Sequence, residues 1–199
     1  ALQTISREAA GSVRDALSIL DQVLVNCETK IENQMVNELL GKISKSETLY
    51  LIELIIEGKT KEALKKVREY ISGNTSPALL LQELLECLHF ISVSSLMDNE
   101  LIGDDYSLEE KKLAEKLSSV TDMVILTSLW QILFKGIDEL RVAAEPITSL
   151  EMLLLRACHM SIMPPPDVLI KSVLNNGSDK IMDVYKMERK SALKTPEKG

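Results

Sequence analysis

Between residues 121 and 143 the chain sets apolar side chains around most of a helical circumference: Met123, Val124, Leu126, Leu129, Trp130, Ile132, Leu133, Phe134, Ile137 and Leu140. Their spacings of three and four residues are those of an α-helix, and no apolar alternation of the strand kind is sustained anywhere in the chain. A helix that is apolar on nearly every side has to be covered on nearly every side, either centrally in its own domain or against another subunit. An all-α fold is therefore the expectation, with this helix at its centre or at a contact with a neighbour.

Helix signals recur along the 199 residues, which include only 8 Gly and 6 Pro and are rich in residues that lose little rotamer freedom in a helix. Ser12, with Asp15 three residues on, caps a helix reaching residue 25 whose Leu17, Leu20 and Leu24 share a face. A short helix over 33–40 ends at Gly41. From Ser46 the pattern resumes, with Leu49, Ile52 and Ile56 on one stripe and Gly58 closing it. Ala63, Leu64, Val67 and Ile71 mark a helix over 60–71, and Pro77 fits the first position of one reaching residue 97. After a polar loop over 99–106, Ser107 and Glu110 form a second capping pair for a helix to residue 117. Helices over 121–143 and 147–160 follow, divided at Pro146. Pro164, Pro165 and Pro166 stop the last one, and the basic, apolar-poor stretch behind them reads as a largely disordered linker with transient helices over 168–174 and 180–190. The chain begins at Ala1 inside a helical pattern, as a piece of something longer would.

The formal charge of −7 argues against a whole-surface nucleic-acid binder. Lys61, Lys65 and Arg68 share a face, but Glu62 and Glu69 interleave with them, as on a solvated mixed surface. Cys27, Cys87 and Cys158 are an odd set without close pairing, which fits a reducing compartment, the cytoplasm by default. No apolar run approaches the length of a membrane span. Gly58-Lys59-Thr60 looks like the end of a phosphate-binding loop, yet Glu53 stands where that motif needs glycine, on a predicted helix, so the chain alone is not expected to hydrolyse ATP. Cys87 with His89 and Cys158 with His159 lack metal-ligand spacing, so no metal site and no catalytic residue is assigned. Cys27 has only Lys30 near it to activate a thiolate, and the acidic pairs Asp104-Asp105 and Glu109-Glu110 suit a polar surface.

Gly11-Ser12-Val13-Arg14-Asp15-Ala16-Leu17 is more specific, since it puts an arginine in the first turn of a capped helix. Amide groups and the helix dipole already favour an anion there, and guanidinium adds a rigid two-pronged donor. With Leu20-Asp21-Gln22 downstream, this segment closely resembles the sensor 2 motif of bacterial DNA polymerase III gamma/tau subunits, which are AAA+ clamp-loader ATPases. Leu39-Leu40-Gly41 resembles that family's junction between lid and collar. Glu139-Leu140-Arg141 through Pro146, and Leu150-Glu151-Met152-Leu153-Leu154-Leu155-Arg156, resemble the end of its collar, and the prolines at 164–166 the start of its linker. The resemblance runs over residues 1–166 and departs at Ala143-Ala144-Glu145, where the family more usually carries a proline-containing stretch.

What the resemblance implies is an all-α chain: residues 1–44 end a three-helix AAA+ lid, 45–163 form a helical collar that oligomerises, and 164–199 are linker. Arg14, supported by Ser12 and Asp15, would sense ATP held with Mg by an upstream core, and the fragment itself would need no cofactor. Leu129, Trp130, Leu133, Phe134, Leu140, Met152, Leu155 and Arg156 are the residues expected at subunit contacts. Implied partners are other gamma/tau copies and the delta and delta-prime subunits, with the sliding clamp and primed DNA engaged by the whole complex. Segments beyond the chain would reach helicase and polymerase. The competing expectation is a free-standing helical adaptor unrelated to replication, which shares the apolar helices but has no use for Arg14 in that place.

Overall fold

The structure, a computed structural model, describes residues 2, 5, 6, 9, 11–25, 36, 43–96 and 106–163. Among them are seven α-helices and no strand: α1 (Val13–Val25), α2 (Lys45–Ile56), α3 (Thr60–Ser72), α4 (Pro77–Ser94), α5 (Leu108–Val120), α6 (Met123–Val142) and α7 (Pro146–Ser161). The expected helix over 33–40 apart from Val36, the loop over 99–105, Cys27 and the stretch from residue 164 onward lie outside the described residues.

Side chains written into the sequence fix where most helices start. The Ser76 hydroxyl accepts the Leu79 amide at 3.2 Å with Pro77 behind it, and Asp122 accepts the Val124 amide at 2.8 Å. Ser107 and Glu110 close a reciprocal capping box, the Ser107 amide meeting Glu110 Oε2 at 2.8 Å and the Glu110 amide meeting Ser107 Oγ at 3.3 Å. Helix α2 starts ahead of Ser46, because Ser44 takes the Glu47 amide at 3.2 Å and so captures the first turn itself. Its end is a Schellman closure: Gly58 donates to the Ile55 carbonyl at 3.0 Å and Lys59 to that of Leu54 at 2.9 Å, with Gly58 at φ +69°.

The sequence leaves the helix over 121–143 either at the centre of its own domain or against a neighbour, and packing does not put it at the centre. Helices α2 and α4 hold that place: α2 lies against α3, α4, α5 and α7, and α4 against α2, α5, α6 and α7. Accordingly Thr48, Leu49, Leu51, Ile52, Leu54, Ile55 and Ile56 are all buried on α2. On α4 the buried set includes Leu80, Leu81, Leu84, Leu85, Cys87, Leu88, Phe90 and Ile91. Contrary to the expectation that no apolar run approaches a membrane span, α4 is long and apolar enough to cross one, but much of its apolar surface is buried in this core. Helix α6 packs chiefly on α4 and α7.

A second, small core joins Ile5, Val23 and Val36, with Ala16, Ile19 and Leu20 against it. The face of α1 carrying Leu17, Leu20 and Leu24 is therefore not the buried one: Leu17 and Leu24 are exposed, and the inward stripe runs through Ala16, Ile19, Leu20 and Val23. Val36 belongs to this cluster and Ile43 to the larger one.

Bidentate ion pairs tie α3 and α6 to α7. Arg68 of α3 gives Nε to Glu151 Oε1 at 2.7 Å and a terminal nitrogen to Oε2 at 3.1 Å. Arg156 of α7 grips both oxygens of Glu139 on α6, one of them at 3.1 Å. Hydrogen bonds from these guanidiniums hold both carboxyls below the usual carboxylate range. The stability they add is thus present above the ordinary carboxylate value and is lost as pH falls through the depressed ones. Both pairs are partly exposed, so solvent screens them.

Candidate functional site

Two regions hold the residues that the sequence singles out. The first is the start of α1. Ser12 donates its amide to the Ala9 carbonyl at 2.7 Å, Gly11 turns the chain at φ +87°, and the Asp15 amide comes back to Ser12 Oγ at 3.3 Å. A Cβ on Gly11 would meet nothing within 4 Å, so its torsion and not crowding calls for glycine here. The turn sets Arg14 on the outside of the first helical turn, exposed and with no ion-pair partner among the described residues. A cation at that end works against the helix dipole, which an anion shared by guanidinium and the first-turn amides would offset. Beside it lies a depression of about 230 Å³ lined mainly by Ile5, Ala9, Val13, Ala16, Leu17 and Leu20.

The second region is the antiparallel hairpin of α6 and α7. The candidate contact residues do not form one patch. Leu129, Leu133 and Leu140 face α4 and α7 and are buried in the chain's own core. Leu155 is half-buried, and Arg156 is engaged with Glu139. Exposed are Trp130, Phe134 and Met152, at 39%, 51% and 53% of their possible surface, fractions large enough to meet another molecule. Trp130 and Phe134 stack on the outside of α6 with ring centroids 4.8 Å apart and planes 9° from parallel. Val124, Val142 and Ile147 of these two helices are exposed as well, and none of them is among the contact residues expected from the sequence. Their periodicity within an apolar helix gives no sign of which side a neighbouring helix covers.

The remaining motifs have structural partners. The Gly58 and Lys59 amides are used in closing α2, and Glu53 is paired with Lys116 of α5 at 3.0 Å. Burial pushes the Cys87 thiol up to about 12 and raises that of Cys158, so both stay protonated and unreactive at neutral pH. His89 and His159 are exposed next to them. Of the basic face on α3, Arg68 is held by Glu151, and Lys65 lies 3.9 Å from Glu69 beside an open groove.

Two family models match the chain: DNA polymerase III subunits gamma and tau domain III over residues 31–173, and DNA polymerase III clamp loader subunit, ATPase lid domain, over residues 1–29. Among curated proteins, DNA polymerase III subunit tau of Escherichia coli is 31% identical over 84% of this chain and 26% of its own length. The subunit tau of Salmonella typhimurium is 29% identical over 96% of this chain and 30% of its own length. Protein STICHEL of Arabidopsis thaliana is 29% identical over 83% of this chain and 13% of its own length. The chain thus spans less than a third of the length of these relatives.

Proposed function

Because the chain belongs to the family of DNA polymerase III gamma and tau subunits, we propose that it carries the sensor 2 end of a clamp-loader lid and the collar that holds loader subunits in a ring. Residues 1–44 are assigned to the lid and 45–163 to the collar. Val36 in the small core and Ile43 in the large one support that division, although the two family models change over near residue 30. The collar docks other gamma/tau copies and the delta and delta-prime subunits. ATP with Mg, bound by an upstream core of the same subunit, is read by Arg14. The assembled ring then opens the sliding clamp and seats it on primed DNA in the cytoplasm.

The observation that carries the assembly reading is the stacked Trp130–Phe134 pair on the outside of a helix whose inner side is fully used by the core. Large aromatics are costly to leave wet and are the side chains on which interface energy concentrates. In the full-length protein, Trp130→Ser and Phe134→Ser should each weaken incorporation into the loader about tenfold or more while the fold persists. Sedimentation with delta and delta-prime measures this, and unchanged incorporation of the double variant would remove the pair from the interface.

Arg14 is tested separately. Arg14→Ala in the full-length subunit should leave ring assembly intact and lower ATP-dependent clamp loading about tenfold or more, because a charge-assisted phosphate contact is lost. Clamp loading at the wild-type rate would refute its role as an ATP sensor.

A further inference from the structure

Residues 43–46 are each fixed by a contact of their own, three of them to other parts of the large core. Ile43 is buried in it. Ser44 caps α2 and donates its hydroxyl to the Glu47 carboxylate at 3.2 Å. Lys45 sets its ammonium 3.8 Å from the centroid of the Tyr106 ring, while Phe90 of α4 stacks on the same ring at 3.6 Å and 8°. A ring stacked that closely fills one face, so the ammonium occupies the other, and Tyr106 is clamped between Lys45 and Phe90. Ser46 donates to Glu110 Oε1 at 3.1 Å, and the second oxygen of that carboxylate is the one held by the Ser107 amide. The first turn of α2 is therefore tied to α4 through two aromatic rings and to α5 through one carboxylate.

Helix α2 does not need these ties to form, since Ser44 caps it and Leu49, Ile52 and Ile56 anchor it. What they add is stiffness at the start of α2, a few residues along the sequence from Val36 of the small core. Energetic coupling between sites is carried by packed side chains, hydrogen-bond networks and rigid helices. We infer that Lys45, Tyr106 and Glu110 are positioning residues that couple the lobe bearing Arg14 to the collar, making the first turn of α2 the rigid end of that connection. The inference rests on the lid-and-collar reading above.

The test uses full-length subunits in the complete loader, comparing Lys45→Met and Tyr106→Leu with the conservative Lys45→Arg and Tyr106→Phe, and with Arg14→Ala in parallel. Lys45→Met and Tyr106→Leu should preserve ring assembly and ATP binding yet slow ATP-triggered clamp loading about tenfold, whereas the conservative pair keeps a cation over a ring and loads normally. Hydrogen exchange on the same proteins should rise over the first turn of α2 alone in Lys45→Met, which separates lost coupling from unfolding. If Arg14→Ala impairs loading and Lys45→Met does not, the coupling is overturned while the lid-and-collar reading stands. Loss of ring assembly in Lys45→Met would also overturn it, as a merely structural role. If neither Lys45→Met nor Arg14→Ala changes loading, the reading beneath the inference falls with it.

Discussion

Gly58→Ala lowers the melting temperature of this chain by about 5–15 °C, which follows from two independent costs at one position. At φ +69° an L side chain is strained by about 1–2 kcal/mol. The new Cβ would also collide with Cγ2 of Ile162 and lie 3.6 Å from its Cβ and 3.7 Å from the Cys158 carbonyl. Ile162 is β-branched and stiff, and forcing a methyl into such a contact costs about 1–3 kcal/mol. The sum, about 2–5 kcal/mol, converts to that shift for a chain of this size. Thermal unfolding followed by circular dichroism measures it, and the double variant Gly58→Ala, Ile162→Ala separates the costs by relieving the collision and keeping the strain. A melting temperature equal to wild type in the single variant would mean that the turn between α2 and α3 is not built as described.

A still larger loss is expected from Gly136→Leu. Gly136 is buried on α6 and faces Leu153 of α7, whose Cδ2 a new Cβ would overlap, with Cδ1 at 3.0 Å and Cγ at 3.2 Å. Leu153 is itself 1% exposed and has no solvent to retreat into. In Gly136→Ala the collision competes with the roughly 1 kcal/mol by which alanine is the better helix former, so the two nearly cancel and the destabilisation is small. With leucine no such offset is adequate, because a whole isobutyl group must enter a filled notch. A loss above about 4 kcal/mol is expected, enough to part α6 from α7 and to remove near-ultraviolet ellipticity at 25 °C. Gly136→Leu combined with Leu153→Ala should recover part of it. Native-like ellipticity and melting in the single variant would show that α6 and α7 do not meet at this glycine.

Local chemistry was the legible part of this chain. Ser12, Ser107, Pro77 and Gly58 mark helix ends because the groups that satisfy orphan amides and carbonyls are neighbours in sequence. What periodicity does not carry is which neighbour covers a given apolar side. The apolar count of the helix over 121–143 leaves open a central place or a contact with a neighbour, and only the packing shows that α2 and α4 carry most of the buried core while Trp130 and Phe134 remain outside. The same limit explains Leu17 and Leu24, which share a face that the core beneath α1 does not use. Tyr106 falls in the polar loop that the sequence predicts over 99–106, and its clamp between Lys45 and Phe90 joins residues too far apart in sequence for any spacing rule to pair them. Arg14 was legible through its motif and its cap, and both are local.

The two sides of α6 answer to different selections. Leu126, Leu129 and Leu133 are buried, so trimming them opens a void in the core, whereas Trp130 and Phe134 keep 39% and 51% of their surface outside it. Drift on the outward side is silent to the folding machinery and audible only to whatever sits against it. A lineage can therefore alter the company this helix keeps while its interior stays as it was.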